Sequence, residues 1–182
     1  MARLQAVGCR LQEEPDLACS LQPVVCSLFY SVIDAVGDQL MSLAISGAEL
    51  ERIREHARIA YPNECCGVLL GKEVGARKLV VEARALENAQ GESPRNRYLI
   101  TPDVVLENDR HARQKGLEIL GFYHSHPDHP PVPSEYDLEN AWPWFSYLIV
   151  TVSQGSPGEA TSWELAGDRS RFNRETMATA SG

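Results

Sequence analysis

The chain has 182 residues, 43% of them hydrophobic and 23% charged, a size and balance that fit one packed domain and exclude wholesale disorder. Lys and Arg number 17 against 25 Asp and Glu, a formal charge of −8. A nucleic acid would meet net repulsion, so no nucleic-acid partner is expected.

Five cysteines are an odd number, and Cys65 and Cys66 are adjacent, where a bridge would be strained; a reducing, cytoplasmic setting is the simpler expectation. The uncharged stretch from Leu17 to Ile33 contains Gln22 and Pro23 and follows Glu13, Glu14 and Asp16. It reads as neither a signal peptide nor a membrane span. Residues 1–40 carry Cys9, Cys19 and Cys26 without a sustained period and are read as a poorly structured extension. The hypothesis is that the functional domain, and the translation start, lie near Met41, the domain running over 41–168 and a polar, frayed tail over 169–182.

Ser46 to Glu49 offers a capping box, and Leu50, Ile53, Ala57 and Ala60 share one helical face, which predicts a helix over 47–60 closed by Pro62. Two β-rich runs, Cys66 to Leu70 and Leu79 to Ala83, flank a turn at Gly71 to Gly75 and predict a hairpin. Asn88 to Arg97 is polar and reads as a loop before the apolar run Tyr98 to Ile100. Thr101 and Pro102 then open a second helix that Gly116 stops. Ile119 to Tyr123 is a strand leading into His124-Ser125-His126-Pro127, and a short helix from Ser134 carries Glu135 to Ala141. Tyr147 to Val152 and Ser162 to Leu165 are further strands. The order is not strict βαβ alternation, so the expected class is α+β with a mixed sheet flanked by helices.

If Leu120 to His126 is extended, Leu120, Phe122, His124 and His126 point the same way and two imidazoles end up adjacent at the strand's end. Asp137 sits in the first turn of the helix capped by Ser134, within reach of folding back over that strand. Two His nitrogens and a carboxylate oxygen suit zinc with a fourth position left for water. Plainer readings stand beside this one. His-X-His alone often marks solvated surface, and Ser134-X-X-Asp137 alone is a capping pattern. Asp128 and His129 read as solvent-facing loop residues, His56 and His111 as helix surface, and Trp142, Trp144 and Phe145 as packing under the short helix.

Taken together, His124-Ser-His126-Pro, six intervening residues and Ser134-X-X-Asp137 resemble the signature of the JAMM, or MPN-plus, zinc metalloproteases. Upstream, Pro62-Asn-Glu64-Cys-Cys66-Gly67 is similar to the segment that presents that family's catalytic glutamate, and the likeness in element order runs from about Met41 to Leu165. The resemblance implies a curved mixed sheet on a cytidine-deaminase-like core. It also implies His124, His126 and Asp137 as ligands of Zn2+, Glu64 as general base and Ser134 as a hydrogen-bond donor to the reacting oxygen. Cys65 and Cys66 then flank the base as small core residues. The implied activity is a peptidase or isopeptidase acting at the C-terminal tail of a ubiquitin-like protein. The short Asn88 to Arg97 loop favours a sulfur-carrier substrate, its tail pairing with a free sheet edge beside the metal. The alternative is a non-catalytic interaction scaffold, against which the complete ligand set argues.

Overall fold

A computed structural model describes residues 42–180; the extension 1–40, its three cysteines and the Met41 start lie outside the described residues. The order is β1 (Ser42–Ser46), α1 (Gly47–Ala60), β2 (Cys66–Val74), β3 (Arg77–Leu86), α2 (Pro102–Gln114), β4 (Glu118–Pro127), α3 (Glu135–Asn140), β5 (Ser146–Ser153), β6 (Ser156–Leu165) and β7 (Phe172–Ala180). This is the expected α+β class. The strands close into a barrel in the order β1-β3-β2-β4-β5-β6-β7, with β1 parallel to both β3 and β7, β4 parallel to β5, and the other neighbours antiparallel. Closure is partial along some strands: β3 pairs with β1 only over Arg77–Val80 and with β2 as far as Leu86, so among the described residues the stretch 81–86 has β2 as its one strand partner.

Apolar residues serve both faces of this sheet. Leu43, Ile45, Val80, Leu148 and Val150 pack with Leu50, Ile53 and Ala57 of α1. Val68, Leu70, Phe122 and Tyr147 pack on the other face with Ala112 of α2 and Leu138 of α3. The Ser46 hydroxyl caps α1 by accepting from the Glu49 amide at 3.2 Å, a contact of the kind worth about 1 kcal/mol. The reciprocal half of the expected box is not made; the Glu49 carboxylate accepts from the Ala83 amide at 2.8 Å and ties α1 to β3. Thr101 caps α2 without a side-chain bond, and Pro102 opens it as expected.

Several boundaries differ from the sequence reading, each for a local reason. The hairpin strands are longer, and Gly71 lies inside β2 at a bulge, because a side chain there would run into the backbone of Leu79; its glycine serves close approach, not a turn. The turn itself uses Gly75 at φ 62°. The tail expected to fray carries β7, held by β6 on one side and β1 on the other. Its sequence, Phe-Asn-Arg-Glu-Thr-Met-Ala-Thr-Ala, shows little apolar alternation because its inward positions include Glu175, which is buried. Trp142 and Trp144, expected to pack under α3, are 65% and 75% exposed, whereas Phe145 does pack on Phe122. Among the described residues no helix is long and apolar enough to cross a membrane.

Candidate metal centre

The two histidines enter from the C-terminal end of β4, where it runs parallel to β5 and the chain must cross over through a proline-rich loop and α3. The register against β2 slips at Leu120. The bulge breaks the alternation assumed from sequence: Leu120 and Tyr123 face the α1 side while Phe122 faces the other. His124 and His126 are both buried, and their Nε2 atoms stand 3.1 Å apart. The loop after them is pinned back on the sheet: Asp128 N donates to Val152 O, Thr151 Oγ1 to His129 O, and Thr161 Oγ1 and Trp163 Nε1 to Pro131 O. That pinning returns α3 to the strand end.

Asp137 arrives at the third position of α3, where the capping pattern and a ligand role turn out to be compatible. Its Oδ2 accepts from the Ser134 amide and hydroxyl, both at 2.7 Å, while its Oδ1 lies 3.4 Å from His124 Nε2. One donor atom from each of His124, His126 and Asp137 falls within 4.8 Å of the others. Ligands of a tetrahedral zinc at about 2.0–2.1 Å stand roughly 3.3 Å apart, so these spacings fit such an ion. The donor chemistry fits as well. His126 Nδ1 lies 2.8 Å from Pro130 O; a carbonyl only accepts, so the proton sits on Nδ1 and Nε2 presents a lone pair, the orientation that metal-binding imidazoles need. His124 Nδ1 is buried without a hydrogen-bond partner among the described residues. Asp128 and His129 are exposed and stay outside the group; Asp128 is occupied by Tyr61 and the Gln154 amide.

Glu64, buried at 6% exposure, lines one cleft with His126, Ser134, Arg97 and Tyr136, a volume of about 580 Å³. Its neighbour Cys65 is clamped to β4 between the two histidines: Cys65 N donates to Ser125 Oγ at 2.9 Å and Ser125 N to Cys65 O at 3.1 Å. Gly67 follows because a side chain there would collide with the Tyr123 ring. Cys65 and Cys66 are free and buried, and burial pushes their thiols up to about 11 and about 12.

Burial also raises the Glu64 carboxyl to about 7, with the Asp137 charge adding to the rise and a charged His124 opposing it. Desolvation works against charge on Asp137 too, yet His124 and the Ser134 bonds outweigh it and hold that carboxyl well below its ordinary range. Burial opposes charge on His124, but Asp137 and Glu64 prevail and raise it. His126, buried beside His124, drops to about 4.

The structure adds contacts that periodicity does not signal. Tyr98 stacks on His124, ring centroids 4.6 Å apart and 25° between planes, and Arg97 lies 5.0 Å over the Tyr136 ring, spanning the cleft from loop to α3. His56 is not plain helix surface; its Nδ1 meets the Tyr123 hydroxyl at 2.9 Å. His111 is half-buried against Arg84 and Glu82.

Residues 48–166 match the family described as prokaryotic homologs of the JAB domain. The chain is 36% identical to a desampylase of Haloferax volcanii over 134 residues, 72% of this chain and 91% of that protein. It is 34% identical to a probable TtuB-protein conjugate cleaving protease of Thermus thermophilus over 55% of this chain and 64% of that one. A solution structure of a protein from Desulfitobacterium hafniense superposes with a TM-score of 0.68 at 30% identity, covering 77% of this chain and 94% of that one. With the family match running from the start of α1 to the end of β6, over a barrel that gathers His124, His126 and Asp137 at one strand end, the chain belongs to the prokaryotic JAB-domain family.

Proposed function

We propose that His124, His126 and Asp137 hold one Zn2+ and that Glu64 is the general base in hydrolysis of a bond at the C-terminal tail of a ubiquitin-like or sulfur-carrier protein. The chain is a hydrolase of the isopeptidase type. Its relatives named as a desampylase and a conjugate-cleaving protease support the substrate class. The observation that carries the chemistry is the meeting of two imidazole nitrogens and a carboxylate, from a strand end and the first turn of the next helix, with His126 among them lining a cleft that also holds Glu64. The working unit is the domain read over 41–168 together with β7, on a core of the cytidine-deaminase-like kind, acting in the cytoplasm.

When bound there, zinc supplies Lewis acidity that brings the pKa of water down to roughly 7. The rest is the work of this chain's own side chains. Pro130 O fixes the His126 tautomer, and the Ser134 backbone amide anchors Asp137 Oδ2, so the donor atoms are oriented before any ion arrives. The Glu64 carboxylate takes a proton from the attacking water and passes it to the leaving nitrogen as the C–N bond breaks, giving an acid and an amine; such transfer contributes about 10²–10⁴-fold. The Ser134 hydroxyl, at the cleft wall, turns to donate to the carbonyl oxygen as negative charge builds on it. The extended tail lies along the cleft between Arg97 and Pro133, close to the stretch of β3 beyond Val80 that β1 does not cover.

The test is cleavage of a ubiquitin-like carrier carrying a lysine-linked or cysteine adduct on its C-terminus, followed by mass spectrometry. Zinc-loaded wild type should release the adduct, and Glu64→Gln should keep its zinc while turning over about 10²–10⁴-fold more slowly. Cleavage by Glu64→Gln at the wild-type rate would remove the base.

A further inference from the structure

The loop between β3 and α2 holds the backbone of Glu64 on both sides. Glu64 N donates to Pro94 O at 2.7 Å, and Glu64 O accepts from Asn88 Nδ2 at 3.1 Å. The same Asn88 amide nitrogen donates to Arg97 O at 3.0 Å, while Asn88 Oδ1 accepts from the amides of Gln90 at 3.0 Å and Leu99 at 3.1 Å. A primary amide has two donors and two lone pairs; all four are used, and they draw both ends of the loop together against Glu64. Ala89 N to Leu99 O closes the loop neck at 3.0 Å. The residue that follows Arg97 is Tyr98, stacked on His124, so one knot sets Glu64 on one side and delivers the His124 stack on the other.

We propose that Asn88 is a positioning residue for Glu64: its carboxamide closes the 88–99 loop and fixes the backbone from which the Glu64 side chain enters the cleft. This rests on the reading of Glu64 as general base. Misplacing a reacting group by about 1 Å can cost 10²-fold in rate, and a loop set free at Glu64 O permits a shift of that kind. The Asp and Ala variants separate the two halves of the knot. Asn88→Asp keeps the acceptors for Gln90 and Leu99 and loses both donors, so it frees the Glu64 carbonyl with the loop neck intact; Asn88→Ala also frees the Gln90 and Leu99 amides, leaving the backbone bonds Glu64 N to Pro94 O and Ala89 N to Leu99 O as the remaining ties in both.

Kinetics, zinc content and amide hydrogen exchange are measured together on the full chain. The expected result for both variants is kcat lowered about 10- to 100-fold with KM changed by less than about threefold, one zinc retained per chain, and faster exchange at the Glu64 amide. Leu99 should lose protection only in Asn88→Ala. A kcat within about twofold of wild type in both variants would overturn the proposal, as would a rate loss matched by equal loss of zinc, or an Asn88→Asp chain that fails to fold. Exchange at Glu64 reads the hold without reference to catalysis. If Glu64→Gln proves fully active, it is the base that falls, and the exchange result still decides whether Asn88 holds this backbone.

Discussion

The sheet buries two polar clusters, one on each face, and only one of them opens to a cleft. On the α1 side, Lys78 is 1% exposed and donates to Trp144 O at 2.7 Å and Ser146 Oγ at 3.1 Å, with Glu164 Oε1 at 3.7 Å. Ser146 and Ser162 in turn donate to the two oxygens of Glu175 at 3.1 and 2.6 Å. A lysine beside a serine looks like a nucleophile and its base, but Ser146 is fully buried and each of these groups has a partner inside the cluster. It ties β3, β5, β6 and β7 together across the barrel. On the other face, His124 and His126 turn nitrogens toward each other, and Glu64, near them, reaches a cleft. Burial of charge is common to both; what separates a site from a brace is convergence of lone pairs left for something else.

The largest expected effect lies on the open side. Glu64→Gln should cut turnover about 10²–10⁴-fold and leave the melting temperature at or above wild type, since an amide is cheaper to bury than a carboxylate. A fall in stability together with activity would blur the contrast. On the closed side the effects should reverse. Lys78→Met strips the cation from the cluster and leaves buried carboxylate oxygens uncompensated, a change expected to cost about 3–5 kcal/mol in urea unfolding, with kcat of the folded fraction within about twofold of wild type. Turnover lost in a fully folded Lys78→Met would make the brace part of the machinery.

A smaller effect should appear with pH. Burial, set against the Ser162 and Ser146 bonds and the Lys78 charge, leaves the Glu175 carboxyl above its ordinary value of 4.5. Between that value and the raised one the folded state keeps a proton that the unfolded chain has lost, so stability falls as pH rises through the window. Glu175→Gln should flatten that part of the melting-temperature profile just above pH 4.5. An unchanged slope would show that Glu175 does not carry it.

Much of the candidate site is legible because its residues are close in sequence. The His-X-His pair on a strand, the Ser134 cap and Asp137 one turn later follow from spacing alone, and the resemblance added Glu64, sixty residues before His124. What spacing does not carry is contact across the fold. The bulge at Leu120 has no sequence mark, and nothing in Asn88 or Tyr98 announces that their loop returns to Glu64 and His124. Strand β7 stayed hidden because a parallel partner, β1, and a buried Glu175 replace the apolar alternation by which strands are read. Clustered just beyond the short helix, Trp142 and Trp144 read as packing beneath it, whereas Trp144, at φ 73°, offers its carbonyl to Lys78 and leaves its ring in solvent.

The most direct measurement is the metal content of purified, dialysed protein. One zinc per wild-type chain is expected, lost in His126→Ala and in Asp137→Ala. Zinc retained at one per chain by both variants would contradict a site built from these three side chains.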